Sequence, residues 1–139
     1  RARDRCRASC VCNLWPRVPA AAHGCLTTSV ARFEDTALPP CDLVNASFAL
    51  PFCAPLHLPA LWARIVAAIR PGGRFAGQFL GDRDSWASRA DRTHHTHDEV
   101  VALLAGFDIE VLRIEERDDP SDVREPKHWH LFHVVARKR

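Results

Sequence analysis

The sequence predicts an α/β fold built on a mostly parallel sheet that ends in an antiparallel hairpin. Three observations predict it. Residues 41–81 run as strand, polar loop, amphipathic helix, tight turn and strand, the order of one crossover unit. Residues 96–99 read Thr-His-Asp-Glu, a capping-box sequence that opens a second helix. The last two strand patterns have no helix between them, so they pair antiparallel beside strands joined by crossovers. At 139 residues the chain holds one domain at most, with room for a real core.

Residues 1–24 stand apart. They carry arginine at positions 1, 3, 5 and 7, clustered cysteines and no sustained helix or strand period. Only Cys10 to Trp15 suits a short buried strand, and Pro16 and Pro19 close it. This segment is expected to be atypical, disordered or misread, and residues 25–139 to form the folded part. Regularity begins with LTTSVARF at 26–33, whose alternation and β-branched residues predict a strand with Glu34 and Asp35 at its carboxyl end. Residues 42–48 predict a second strand that turns polar at Asn45 and Ser47.

Pro59 suits the first turn of a helix, where its missing N–H costs nothing. Leu58, Leu61, Trp62, Ile65, Val66 and Ile69 then recur at helical spacing as one apolar stripe that packs on a sheet. Pro71-Gly72-Gly73 ends that helix, and residues 74–80 form the next strand, with Gln78 in a structural role. Val100, Leu103, Leu104 and Phe107 make the apolar face of the helix capped by Thr96. Residues 108–116 and 128–137 are strands, and the polar, proline-containing stretch between them is a loop.

Composition excludes several function classes. Apolar content of 47% and charged content of 26% are ordinary for a globular protein. A formal charge of +2 is too small to argue for nucleic acid or a membrane surface. The N-terminal arginines lack interleaved aromatics and read as a solvated tail. No apolar run approaches the roughly 20 residues of a membrane helix. The basic N-terminus lacks the apolar segment of a secretory signal, so a cytoplasmic location is expected. Cys6, Cys10, Cys12, Cys25, Cys41 and Cys53 are therefore expected to be buried or incidental thiols. Methionine is absent even at position 1, so the chain reads as a fragment or an incomplete gene model. Neither His94, His95 and His97 nor His128 and His130 have the compact Cys/His spacing of a zinc site, and no metal is expected.

Four segments in this order and spacing resemble the C-terminal part of a class I S-adenosylmethionine-dependent methyltransferase. They are FEDTALPPCDLVNASFALPF, LWARIVAAIRPGGRFAGQFLG, HHTHDEVVALLAGFDIEVLRIEER and KHWHLFHVVARK. The runs GDRDSWA and KHWH are similar to small bacterial methyltransferases of the tellurite-resistance type. The resemblance covers about residues 26–138 and implies an incomplete Rossmann-like sheet. In the complete family sheet the strand order is 3-2-1-4-5-7-6, and the last two strands form the hairpin. It also implies S-adenosylmethionine as cofactor and a small-molecule methyl acceptor. Phe33, Glu34 and Asp35 occupy the family's adenine-contacting place. Asn45, Ala46, Ser47 and Phe48 occupy the loop that lines the donor's amino acid and sulfonium end. His94, His95 and Asp82 fall near the ligand edge where a general base would sit, and Trp86 suits an acceptor pocket and a core or lid aromatic equally, but the sequence singles out no catalytic residue.

The chain departs from the family at its start. Its first glycine is Gly24, and no Gly-x-Gly turn precedes Glu34, so the phosphate-loop equivalent and the ribose-binding acid are missing from this sequence. The chain is expected to be truncated, marginal in stability, and able to bind S-adenosylmethionine weakly or not at all. The same missing turn removes support from a nicotinamide-binding Rossmann reading. A different class of function remains open: a non-catalytic module that pairs with a partner through its exposed strand edge.

Overall fold

In the computed structural model, the described residues are 27–120 and 126–139, with the isolated positions Pro19 and Cys25. The chain divides into two units, residues 1–36 and 37–139. The expectations placed on the N-terminal segment before Pro19, including the strand from Cys10 to Trp15, lie outside the described residues.

In the first unit the strand predicted at 26–33 does not form. Residues 27–32 carry no regular structure, and Phe33–Asp35 is a 3-10 turn. Thr27, Thr28 and Val30 favour an extended backbone, but a strand exists only where a neighbour takes up its N–H and C=O groups. No ladder partner for this segment is present among the described residues.

The second unit holds β1 (Cys41–Ala46), α1 (Leu58–Ala68), β2 (Ile69–Gly81), β3 (His94–His95), α2 (His97–Leu103), β4 (Phe107–Asp119) and β5 (Lys127–Lys138). The sheet order is β1-β2-β5-β4, with β3 also paired to β2. β1 and β2 are parallel, while β5 runs antiparallel to both β2 and β4. This is the order 4-5-7-6 that the methyltransferase resemblance implies for the last four strands. Two-residue β3 was not foreseen, because two histidines give no periodic signal. It runs parallel to the carboxyl end of β2, pairing His94 with Leu80 and His95 with Gly81.

The helix-to-strand turn is tighter than the sequence suggests. β2 already pairs with β1 at Ile69↔Cys41, and pairing resumes at Arg74↔Leu43. The surplus residues on β2 are looped out around Gly72, whose φ of 79° suits glycine. Lys138 at the end of β5 donates to the carbonyls of Val66 (2.7 Å) and Ile69 (2.8 Å), a cation placed on the unsatisfied carboxyl end of α1.

Side chains alternate across each strand, so Phe75 and Phe79 face one side of β2. Trp62 of α1 lies edge-on to Phe75 (5.0 Å between ring centres) and Phe79 (5.7 Å), and packs against Phe107 at 6.2 Å. Its indole N–H donates to the Leu103 carbonyl of α2 at 3.1 Å, which ties the two helices together over the sheet. The capping box forms as predicted: Thr96 Oγ1 accepts from Glu99 N (3.3 Å), and Glu99 accepts from Thr96 N (2.7 Å).

Candidate functional site

β1 and β2 point the same way, so the loops that follow them open on one rim of the sheet. The loop after β1 begins with the 45–48 bend. Asn45 Oδ1 accepts the Ser47 N–H at 3.1 Å, the side-chain turn that asparagine favours. Ala46 is buried, while Asn45, Ser47 and Phe48 are exposed. Phe48 has a left-handed backbone, with φ of 48°, which is costly for an aromatic residue. Its N–H donates to Gln78 Oε1 of β2 at 2.9 Å, so Gln78 does more than fill its strand: it fixes the bend. The loop continues through a 3-10 turn, Leu50–Phe52, and is stitched to the other loop by Thr93, which donates to the carbonyls of Pro51 and Cys53.

The loop after β2 carries a feature that sequence reading missed. Asp84 is fully buried and accepts from the Lys127 ammonium, from Trp86 N (2.9 Å) and from His130 N (3.1 Å). The Lys127 side chain is 9% exposed. It also donates to His128 O (2.9 Å) and Ser85 Oγ (3.3 Å), and its Nζ lies 4.4 Å from the Trp86 ring centre and 4.2 Å from that of Trp129. A cation held by two indole faces gains an attraction that grows as water is excluded. The available signal was KHWH itself, since strand alternation puts Lys127 and Trp129 on one face.

Rings continue along the rim. Trp86 meets Trp129 at 5.5 Å and Phe52 at 6.3 Å, and Phe48 meets Trp129 at 6.5 Å. The Arg92 guanidinium sits 4.8 Å from the Phe52 ring centre and 5.9 Å from that of Trp86. Phe48 and Phe52 are nonetheless 47% and 46% exposed. A small cleft of about 160 Å³ opens beside this row, lined by Ser85, Trp86, Ser88, Arg89, Pro126 and Lys127.

The candidate bases differ in their surroundings. His95 is half-buried with its ring edge-on to Phe79 at 5.5 Å, and burial holds its pKa below the ordinary value. His94 and Asp82 are exposed, and Asp82 N donates to His95 O at 3.0 Å. His130 is buried against Gly81, and burial, then the neighbouring Arg83 charge, lowers its pKa. Its Nδ1 accepts the Arg83 N–H at 3.2 Å. Arg83 also grips Glu116 with two bonds of 2.9 and 2.7 Å. Among the described residues no three histidines, cysteines or acids converge as metal ligands.

Phe33, Glu34 and Asp35 belong to the first unit. There Arg32 pairs with Asp35 at 3.1 Å and with Glu34 at 3.7 Å, and Thr36 Oγ1 donates to Arg32 O at 2.7 Å. The turn thus presents both carboxylates from successive positions, and Phe33 is half-buried.

Solved structures share this architecture. TehB from Haemophilus influenzae superimposes with a TM-score of 0.68 over 81% of this chain and 41% of its own length, at 10% identity. The chain has the fold of the C-terminal part of a methyltransferase. An S-adenosylmethionine-dependent methyltransferase from Methanosarcina mazei matches with a TM-score of 0.53 at 14% identity, over 79% of this chain and 66% of its own. Another from Mesorhizobium loti matches at 0.52 and 19% identity, over 78% and 67%. The chain therefore spans about two fifths of TehB and two thirds of the other two. No family model matches the sequence, and no curated protein does. At these identities the methyltransferase likeness is one of fold. Among the described residues no helix is long and apolar enough to cross a membrane.

Proposed function

We propose that this chain is part of an S-adenosylmethionine-dependent methyltransferase acting on a small acceptor, and that the 45–48 bend holds the methyl donor. One observation carries the reading: a half-exposed phenylalanine is held in a left-handed backbone at the carboxyl end of a parallel strand pair, on a methyltransferase sheet. The residues present fit such a donor. Phe48, half exposed, offers ring surface to a sulfonium, a contact of about 0.5–2 kcal/mol, and Ser47 and Asn45 stand exposed beside it. Phe33, Glu34 and Asp35 are the proposed adenine contacts.

When bound, S-adenosylmethionine supplies an electrophilic methyl group on its sulfonium. The chain contributes orientation: Gln78 and Asn45 fix the bend, so the Phe48 ring is in place before a ligand arrives. S-adenosylmethionine, and more weakly its uncharged product S-adenosylhomocysteine, titrated into the isotope-labelled chain should shift backbone amides at 33–35 and 45–48, with an affinity weaker than micromolar. Phe48→Gly, which relaxes the backbone, should abolish the 45–48 shifts while the remaining spectrum stays folded. Saturable shifts confined to other residues, or none at all, would defeat the assignment.

The second reading, a module that pairs through its strand edge, is favoured by β1. Among the described residues its only ladder partner is β2, and Leu43 is 57% exposed. Sedimentation showing a dimer, together with silence toward S-adenosylmethionine, would favour it.

A further inference from the structure

The cleft beside Trp86 has a chemistry of its own. It is lined by Ser85, Trp86, Ser88, Arg89, Pro126 and Lys127, which brings an indole, two hydroxyl-bearing residues, a proline and two cationic residues to its border. Its volume of about 160 Å³ is close to that of an engineered protein cavity that holds one benzene, about 150 Å³. There is therefore room for a single flat ring.

Charge decides what the ring should carry. The Lys127 ammonium has Asp84, Ser85 Oγ and His128 O as acceptors, so its donors are used and its charge is balanced. Arg89 is different. Arg89 and Arg92 share one carboxylate, Asp91, and Arg92 takes the better place at 2.7 Å against 3.4 Å for Arg89. Arg89 meets Asp91 through Nε alone, and its two terminal amino groups have no other partner among the described residues, on a side chain that is 48% exposed. Guanidinium groups bind carboxylates in a planar two-bond fork, and Ser88 brings a further hydroxyl, while Ser85 Oγ already donates to His128 O at 3.4 Å. A guanidinium and an indole bordering one cleft together favour a planar ring bearing a negative group.

We propose that this cleft binds a single-ring aromatic acid, with its ring against Trp86 and its carboxylate on Arg89. Resting on the methyltransferase reading above, the methyl acceptor would be such an acid with a ring hydroxyl or amine as its nucleophile, since its carboxylate is taken up by Arg89. The site lies on the same rim as the 45–48 bend, linked to it by the contact chain Trp86, Trp129, Phe48.

The test is a heteronuclear NMR titration of the full chain with benzoate, following the Trp86 indole N–H and the amides of residues 85–89. Benzoate should shift them saturably. Cyclohexanecarboxylate, equal in charge but without a π-face, and benzylamine, with the ring but the opposite charge, should each bind at least about tenfold more weakly. Loss of a charged hydrogen-bond partner in Arg89→Gln should weaken benzoate by about tenfold or more. Arg89 is half exposed, so that variant keeps the wild-type spectrum elsewhere. Benzoate binding that is absent, lies elsewhere, or is unchanged in Arg89→Gln overturns the proposal. The two readings fail separately. Shifts at 45–48 with S-adenosylmethionine but none at 85–89 with benzoate sink this inference alone. The reverse pattern keeps the cleft as an aromatic-acid site and sinks the donor site.

Discussion

Asp84 and Lys127 hold the loop after β2 to the start of β5, and removing either one should be severe. The Asp84 carboxylate has three donors: the Lys127 ammonium and the backbone N–H groups of Trp86 and His130. In Asp84→Ala the ammonium, 9% exposed, keeps neutral acceptors but loses its counter-charge, and two backbone donors lose their acceptor. Breaking a buried pair in this way costs about 3–5 kcal/mol. A domain of this size has about 5–15 kcal/mol in all, so the variant loses a large part of its stability. Lys127→Met should cost nearly as much, because it strands a buried carboxylate. The double variant should cost less than the sum, with a coupling of about 2–3 kcal/mol, because the two charges vanish together. Urea unfolding followed by far-UV circular dichroism measures all three without relying on Trp86 or Trp129. Single variants each within about 1 kcal/mol of wild type, or strict additivity in the double, would refute the claim that the pair works as a buried clamp.

Gly81→Ala should destabilise the fold by about 1–3 kcal/mol, because an added Cβ would stand 2.0 Å from Nδ1 of the buried His130. Gly106→Ala, where a Cβ meets nothing within 4 Å, is the matching control in a thermal melt and should lack that penalty. Stability should also vary with pH around the β4–β5 hairpin. Hydrogen bonds from Arg83, then His128, hold Glu116 at about 2 against an ordinary 4.5, so its contribution is lost as pH falls from about 4.5 toward 2. Bonds to Asp118, then Glu116, raise His128 above 6.5, so its contribution is complete below 6.5 and fades as pH climbs through the raised value. These two groups favour the window between their limits, while His95 and His130, held below 6.5, cost stability as pH falls from 6.5 to their lowered values. Glu116→Gln should flatten the acid side of the melting-temperature profile.

Much of the second unit was legible because its signals are local. The α1 stripe, the Thr96 capping box and the turn at Gly72 each follow from neighbouring residues, and each formed. The antiparallel hairpin was legible from the absence of a helix between β4 and β5. The strand at 26–33 was misread because extended propensity does not supply a partner, and residues 27–32 have no ladder to join. The Asp84–Lys127 clamp was hidden for the opposite reason. Both residues rank among the types expected at the surface, and only the fold brings positions 43 residues apart together.

The 45–48 bend shows why a functional rim is the hardest part to read. A phenylalanine at positive φ costs about 1–2 kcal/mol relative to glycine, which adopts that backbone freely. The Gln78 bond returns about 1 kcal/mol, and the Asn45 bond about as much, so the bend is held but gains little over a glycine turn. A ring selected for packing would recover the difference by burial, worth up to about 3 kcal/mol for a phenylalanine, yet this one is 47% exposed. Half-burial against Trp129 returns about 1.5 kcal/mol, so packing and strain nearly cancel at Phe48. The proposed donor site would give the ring a use beyond that balance, and backbone strain of this kind collects at ligand sites. The same logic covers Phe52, which lies half exposed beneath Arg92 instead of in the core. Both residues depart from the rule that apolar side chains go inside, and both lie on the rim that carries the proposed donor site and the Trp86 cleft.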